Sequence, residues 1–345
     1  MDRLAIDASF RPAWWLRGPT RQSILAGFPF RRAIVQRRAL ALLAASREIL
    51  LDCGDGVRLQ AFHASPASRG RLASHSVAVL VHGWEGSADS LYILSLATDL
   101  FEQGYDVVRL NLRDHGATHH LNRELFHSCR LPEFVGALRA LQQQFGALRM
   151  VLVGYSLGGN FVLRAAAEAP QAGLKLDRVV AVSPLLDPAP TMQRLERRWS
   201  IYHQYFVLKW GRSLLKKQRA WPADYALETI VRSRNLRLMT RELVMRFTEF
   251  PDEHSYFAAY AITGDRLQRL QVPSTIIAAM DDPIIPVRDF DRLASPDCLR
   301  VVLTHRGGHC GFLSSLSTPS WANAMVIQAL AADDAAARHS LAHAS

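Results

Sequence analysis

The stretch SVAVLVHG, residues 76–83, is apolar at almost every position, and this constrains the fold more than any other feature of the chain. A strand with one wet face alternates apolar and polar residues. A run without alternation belongs to a strand buried on both faces, as in a parallel sheet covered by helices. The flanking sequence supplies those helices. LYILSLATDLFEQG has helical periodicity and a glycine stop; then come the strand YDVVRLNL, the helix PEFVGALRALQQQFG with Pro132 near its start, and the strand RMVLVG. Upstream, REILLD and GVRLQAFHA read as two strands joined at Cys53-Gly54-Asp55-Gly56, where Asp-Gly favours a tight turn. Downstream come a helix, LGGNFVLRAAAEA, and a strand, DRVVAVSPLLD. Such alternation predicts an α/β protein with a mostly parallel central sheet of about eight strands and helices on both faces.

The alternation lapses after DRVVAVSPLLD and resumes with STIIAAMDD, CLRVVLTHRGG and the helix PSWANAMVIQALAAD. The core is therefore expected at 48–187 and 271–335, interrupted by a helical insertion at 188–270. Ligands in open α/β sheets bind beyond the carboxyl ends of the strands, so an insertion leaving one such end is expected to cover the crevice as a lid. Residues 1–47 form a basic, aromatic extension expected to pack on the core. The alanine-rich tail, 336–345, is expected to be disordered.

Residues 153–161, VGYSLGGNF, contain the G-x-S-x-G pattern of a nucleophile elbow. A serine hydroxyl needs a base to remove its proton and a third group to orient that base. Ser156 stands between a strand and a helix, with Gly154, Gly158 and Gly159 relieving the crowding of a sharp turn. The acid is expected after a later strand, where STIIAAM ends at Asp281-Asp282 before Pro283. Two adjacent carboxylates leave the assignment open, because successive strand residues point to opposite faces; Asp282 is preferred and Asp281 is the alternative. The base is expected after the next strand, where glycines flank His309; His305 lies nearer the strand, without that freedom. The order Ser156, Asp282, His309 is the hydrolase order of an elbow serine. For the oxyanion, the backbone N–H groups of Leu157 and of Trp84, after His82-Gly83, are the candidate donors. His82, Gly83 and Tyr155 are candidates for the substrate pocket, with His82 also suited to buttressing its loop.

HGWEGS, NLRDHG, GYSLGGN, DDPIIP and GGHCGF together resemble the YheT-like branch of the α/β-hydrolase superfamily, which includes the plant embryogenesis-associated hydrolases. FRPAWWLRGPTRQSI is similar to that branch's opening segment, so the resemblance spans about residues 10 to 330. It implies the α/β-hydrolase fold with a helical lid, a serine carboxylester hydrolase forming an acyl-enzyme on a small-molecule or lipid ester, and no cofactor. By resemblance the catalytic residues are Ser156, Asp282 and His309, and the oxyanion donors Trp84 and Leu157. RGPTRQS lacks a histidine expected near that position, and the insertion is unusually basic. A thioesterase, a lipase or an acyltransferase would use the same three residues, and a non-catalytic binding protein on this fold is the rival of another class. The absence of H-x-x-x-x-D near His309 argues against the acyltransferase relatives.

The formal net charge is +10, unevenly placed. Residues 11 to 47 hold eight arginines and no acid, together with Trp14, Trp15, Phe28 and Phe30; residues 191 to 250 carry a local balance of +8. Besides a solvated basic face, this suits an anionic membrane surface; without a recognisable nucleic-acid module, no nucleic-acid partner is expected. His115, His119, His120 and His127 are close in sequence but lack a carboxylate or cysteine pattern, so no metal site is expected. Four cysteines without paired spacing, no secretory signal in MDRLAIDASFRP and no apolar run long enough to span a bilayer suggest a cytoplasmic protein, membrane-peripheral if its basic, aromatic surface meets lipid.

Overall fold

The structure, a computed structural model, describes the backbone of residues 4–196 and 201–342 and the side chains of 5–196 and 201–331. The sheet begins earlier than the alternating pattern does. Leu4–Asp7 form a strand, β1, pairing parallel with the last strand of the chain in the register Leu4 with Val301 to Asp7 with Thr304. With it the sheet has nine strands where about eight are expected; a four-residue edge segment in a basic, aromatic extension carries no readable periodicity. Three short helices follow, α1 (Pro19–Leu25), α2 (Pro29–Arg38) and α3 (Leu40–Ala45), the first two with proline in the first turn, where its missing N–H costs nothing.

The core then runs β2 (Ser46–Asp52), β3 (Arg58–Ala64), β4 (Ser76–Val81), α4 (Leu91–Glu102), β5 (Asp106–Leu110), α5 (Leu131–Gln144), β6 (Arg149–Tyr155), α6 (Leu157–Ala172) and β7 (Arg178–Val182). All six residues of β4 are buried, as its unbroken apolar run demands. Val77, Val79 and Val81 join one apolar layer and Ala78 and Leu80 the other, the two-residue period of a strand with helices on both faces.

After β7 the described residues form the helices α7 (Pro188–Leu195), α8 (Ile201–Ala220), α9 (Glu228–Arg232), α10 (Leu236–Phe247) and α11 (Glu253–Tyr260). Asp187, Asn235 and Asp252 cap α7, α10 and α11 by accepting backbone N–H groups. The chain closes with β8 (Ser274–Ala279), β9 (Leu299–Thr304) and α12 (Trp321–Ala342). The backbone of α12 continues into the segment expected to be disordered, whose last three residues lie outside the described ones. No described helix is long and apolar enough to cross a membrane.

The strand order is β1-β9-β8-β7-β6-β4-β5-β3-β2, parallel except for β3, which runs antiparallel to both its neighbours. From β4 the chain steps outward to β5, then back past β4 to β6. That reversal opens a crevice beyond the carboxyl ends of β4 and β6, where open sheets of this kind hold their ligands.

Candidate active site

Ser156 sits at this reversal, between the end of β6 and the start of α6, with φ 53° and ψ −118°. A left-handed φ on a residue with a Cβ is strained, and the surroundings must enforce it. They do so through close packing. A Cβ on Gly154 would stand 2.2 Å from the carbonyl oxygen of Gly158, and one on Gly158 would stand 2.4 Å from that of His82. Only glycine lets the elbow close against the loop after β4.

The structure brings Asp282 and His309 to Ser156. His309 Nδ1 lies 2.8 Å from Asp282 Oδ2, and Nε2 lies 2.9 Å from Ser156 Oγ. An ionised carboxylate only accepts, so Nδ1 donates and Nε2 is left free to accept from the serine. Asp282 Oδ1 accepts the N–H groups of Ile284 and Ile285, which fixes the carboxylate's rotation. Burial opposes a charged His309, but the facing Asp282 carboxylate and the neighbouring Cys310 together outweigh it and raise the imidazole well above its ordinary value. Asp281 is not at the imidazole; its Oδ1 accepts the N–H of Gly308. His305 is exposed.

Sequence reasoning missed what holds the His309 loop. The backbone N–H of His309 donates to Ser23 Oγ of α1 at 2.8 Å. Gln22, fully buried, donates from Nε2 to the carbonyls of Leu16 and Leu313 and accepts the N–H of Leu313 at Oε1. Gly308 packs so tightly that a Cβ would meet the carbonyl of Pro19 at 2.4 Å. Gln22→Ala strands two carbonyls and one N–H in the interior, and is expected to cost about 3 kcal/mol of stability. Urea denaturation checks this, and a loss below about 1 kcal/mol would show that the loop is held by other contacts.

The Gly83-Trp84-Glu85 turn is held by neutral rings. His82 Nδ1 donates to the Gly83 carbonyl while Nε2 accepts from the N–H of Leu112. His115 Nδ1 donates to the Arg113 carbonyl and Nε2 accepts from the N–H of Glu85; Tyr92 accepts the N–H of Gly83. Burial pushes His82 well below its ordinary value and His115 down to about 4, so both stay uncharged. Among the described residues, the N–H groups of Trp84 and Leu157 meet no protein acceptor. Gly83 lies against Ser156, where a Cβ would be 3.0 Å from the serine's Cβ.

Two pocket expectations are corrected. His82 is fully buried under the loop and borders neither cavity that reaches Ser156. Tyr155 is buried too, because strand parity turns it with Val151 and Val153 toward Tyr92 on the far face of the sheet. The cavities meeting at Ser156 and His309 are walled by the insertion instead. One is an apolar slot of about 120 Å³, bordered by Leu157, Leu195, Leu243, Val244, Phe257 and Ile285. The other is an outer basin of about 750 Å³ between α8 and the turn before α2. Trp84 separates them, stacked on Phe206 at 4.9 Å and edge-on to Trp210 at 5.1 Å. Lys209 donates to the Glu85 carbonyl, so α8 clasps this turn.

The histidine-rich tract has other work. His119 meets Ser213 at 2.9 Å and His127 packs on Phe250 and Tyr256. Asp114 pairs with the buried Lys217 at 2.8 Å, and Lys217 also donates to the carbonyls of Asn122 and Glu124, pinning α8 to the loop after β5. Among the described residues, no three metal-ligating side chains cluster.

Comparison with known proteins matches residues 78–316 to a family described as the alpha/beta hydrolase fold. The protein YheT of Escherichia coli, whose name assigns it provisionally to the esterases, is 27% identical over 282 residues, covering 80% of this chain and 81% of its own length. The phospholipase ABHD3 of Bos taurus is 20% identical, covering 90% and 75%. Among solved structures, the esterase Pf2001 of Pyrococcus furiosus superposes with a TM-score of 0.54 at 15% identity, covering 83% of this chain and 89% of that one.

Proposed function

This chain belongs to the alpha/beta hydrolase fold family, and on that footing we propose that it is a serine carboxylester hydrolase working through an acyl-enzyme. The observation that carries the reading is the unbroken relay from Asp282 through His309 to Ser156, with the histidine tautomer set to take the serine's proton. Ser156 attacks the ester carbonyl as His309 removes its proton. Asp282 holds the imidazole and stabilises the imidazolium, while the free N–H groups of Leu157 and Trp84 receive the oxyanion. His309 then protonates the leaving alcohol and activates water to release the acid. Relatives named as an esterase and a phospholipase support ester chemistry.

The helical insertion acts as the lid, and its apolar slot takes the acyl chain. A dry cavity of about 150 Å³ in another protein holds benzene, so a slot of about 120 Å³ favours acyl chains of up to roughly six carbons while the lid stays as it is. The test is fluorophosphonate labelling mapped to Ser156 by mass spectrometry, alongside p-nitrophenyl esters of increasing chain length and an acyl-CoA series. An unreactive Ser156 in the parent protein would sink the hydrolase reading and revive that of a binding protein. Faster turnover of acyl-CoA would move the assignment to a thioesterase.

The pH profile has a defined sign. The base must be neutral, and His309 is raised above its ordinary value, so kcat/KM is expected to fall as pH drops through that raised value. Activity should therefore be highest on the alkaline side. A rate flat from pH 9 to below about 6.5, the ordinary histidine value, would show that His309 is not the base.

A further inference from the structure

The mouth of the outer basin carries two features that ester hydrolysis does not explain. The exposed stripe of α8 runs Ile201, Tyr205, Leu208, Arg212, Lys216, in the three- and four-residue steps of one helix face. Its first half is apolar and exposed, Ile201 by 54%, Tyr205 by 52% and Leu208 by 50%; its second half is cationic. Across the basin stand Phe28, 46% exposed, and Arg32. Except for Leu208, these residues border the cavity that ends on Ser156 and His309.

Among the described residues, Arg32, Arg212 and Lys216 form no salt bridge; Lys216 feels the Glu85 carboxylate only at longer range. The acids around the basin are already engaged or weakened. Asp89 pairs with Arg109 and Asp114 with Lys217, while burial pushes Glu85 up to about 7 beside Lys209. The rim is thus cationic and apolar at once. Exposed apolar side chains collected at an opening mark an interaction surface, and their interleaving with cations is the pattern of a helix lying at a bilayer boundary. A polyanionic strand would match the cations but would gain nothing from Ile201 and Leu208.

We propose that this rim docks the protein on an anionic lipid bilayer. Phe28, Ile201, Tyr205 and Leu208 enter the boundary between headgroups and acyl chains, and Arg32, Arg212 and Lys216 face the lipid phosphates. The basin then opens toward the membrane. The proposal rests on the esterase reading only for its use, delivery of a membrane-dissolved ester to Ser156; docking itself does not need the nucleophile.

Co-sedimentation with vesicles tests it, using phosphatidylcholine alone and equal parts phosphatidylcholine and phosphatidylglycerol. The parent is expected to bind the mixed vesicles and not the neutral ones, with binding weakened by salt. Each neutralised cation should weaken partitioning roughly fivefold, so the combined Arg32→Gln, Arg212→Gln and Lys216→Gln variant should bind roughly a hundredfold less. Lys175→Gln, Arg269→Gln and Arg300→Gln remove the same charge from exposed sites at the amino-terminal edge of β7, β8 and β9, and should bind nearly as the parent does. Ile201→Ser with Leu208→Ser should also weaken binding. All these positions are exposed, and unchanged melting temperatures confirm intact folds. Ser156→Ala should bind like the parent, which separates failure of docking from failure of the esterase reading. No binding to mixed vesicles, equal binding to both kinds, or equal loss in the two triple variants would overturn the proposal.

Discussion

Replacing Ser156 by alanine is expected to lower kcat by about 10⁶-fold, the loss seen when an activated serine is removed from such a relay. The substitution is structurally mild. Alanine keeps the Cβ, so the strained φ of 53° is neither relieved nor worsened, and the contacts of Gly154 and Gly158 that enforce the turn are untouched. Melting temperature should therefore stay within a few degrees of the parent's, a shift matching less than about 1 kcal/mol. On the proposed reading some catalysis should persist, because the N–H groups of Leu157 and Trp84 would remain to polarise a bound carbonyl for direct attack by water. A variant retaining a tenth of the parent's ester hydrolysis would mean that another group is the nucleophile.

Asp282→Asn is expected to lower kcat by roughly 10⁴-fold through the tautomer of His309. The carboxylate's Oδ1 accepts two N–H groups, from Ile284 at 2.8 Å and Ile285 at 3.0 Å. An asparagine must keep its oxygen there, which turns its NH₂ toward His309. Nδ1 must then accept, Nε2 carries the proton, and nothing is left to accept the proton of Ser156 Oγ. The imidazole also loses the carboxylate that raises it, so the acid limb of the pH profile should move down. Asp281→Asn is the control. Its Oδ1 accepts only the N–H of Gly308, a bond an amide oxygen can keep, so its rate should stay within about tenfold of the parent's. If the two variants were equally impaired, the acid would not be Asp282 alone.

Much of this site was legible because it is written locally. A βα turn with glycines, an acid after one strand and a glycine-flanked histidine after the next each show within a dozen residues, and the parallel sheet fixes which ends of the strands they share. The choice between Asp281 and Asp282 was not legible. β8 ends at Ala279, so both aspartates lie in a turn where strand alternation no longer decides direction. Tyr155 departs from expectation for the opposite reason. It still belongs to β6, and parity with Val151 and Val153 places it on the face away from the cavity, although its neighbour Ser156 faces the crevice. The anchoring of α8 by Lys217 and the brace by Gln22 left no local trace. Each joins a polar residue in one segment to backbone groups in another, 93 to 95 positions away for Lys217 and 291 for the contact of Gln22 with Leu313.

That brace has a consequence for how the protein comes to be active. The backbone of His309 hangs on Ser23, 286 positions earlier, and β1 closes the sheet against β9. A chain emerging in order of synthesis has its serine long before its base, and the base is seated only when the late loop returns to the early helix. Nascent or clipped chains would carry a folded elbow that cannot fire. Fusions or trims that disturb the first helices are thus expected to silence the enzyme from the surface farthest, in sequence, from the residue they disable.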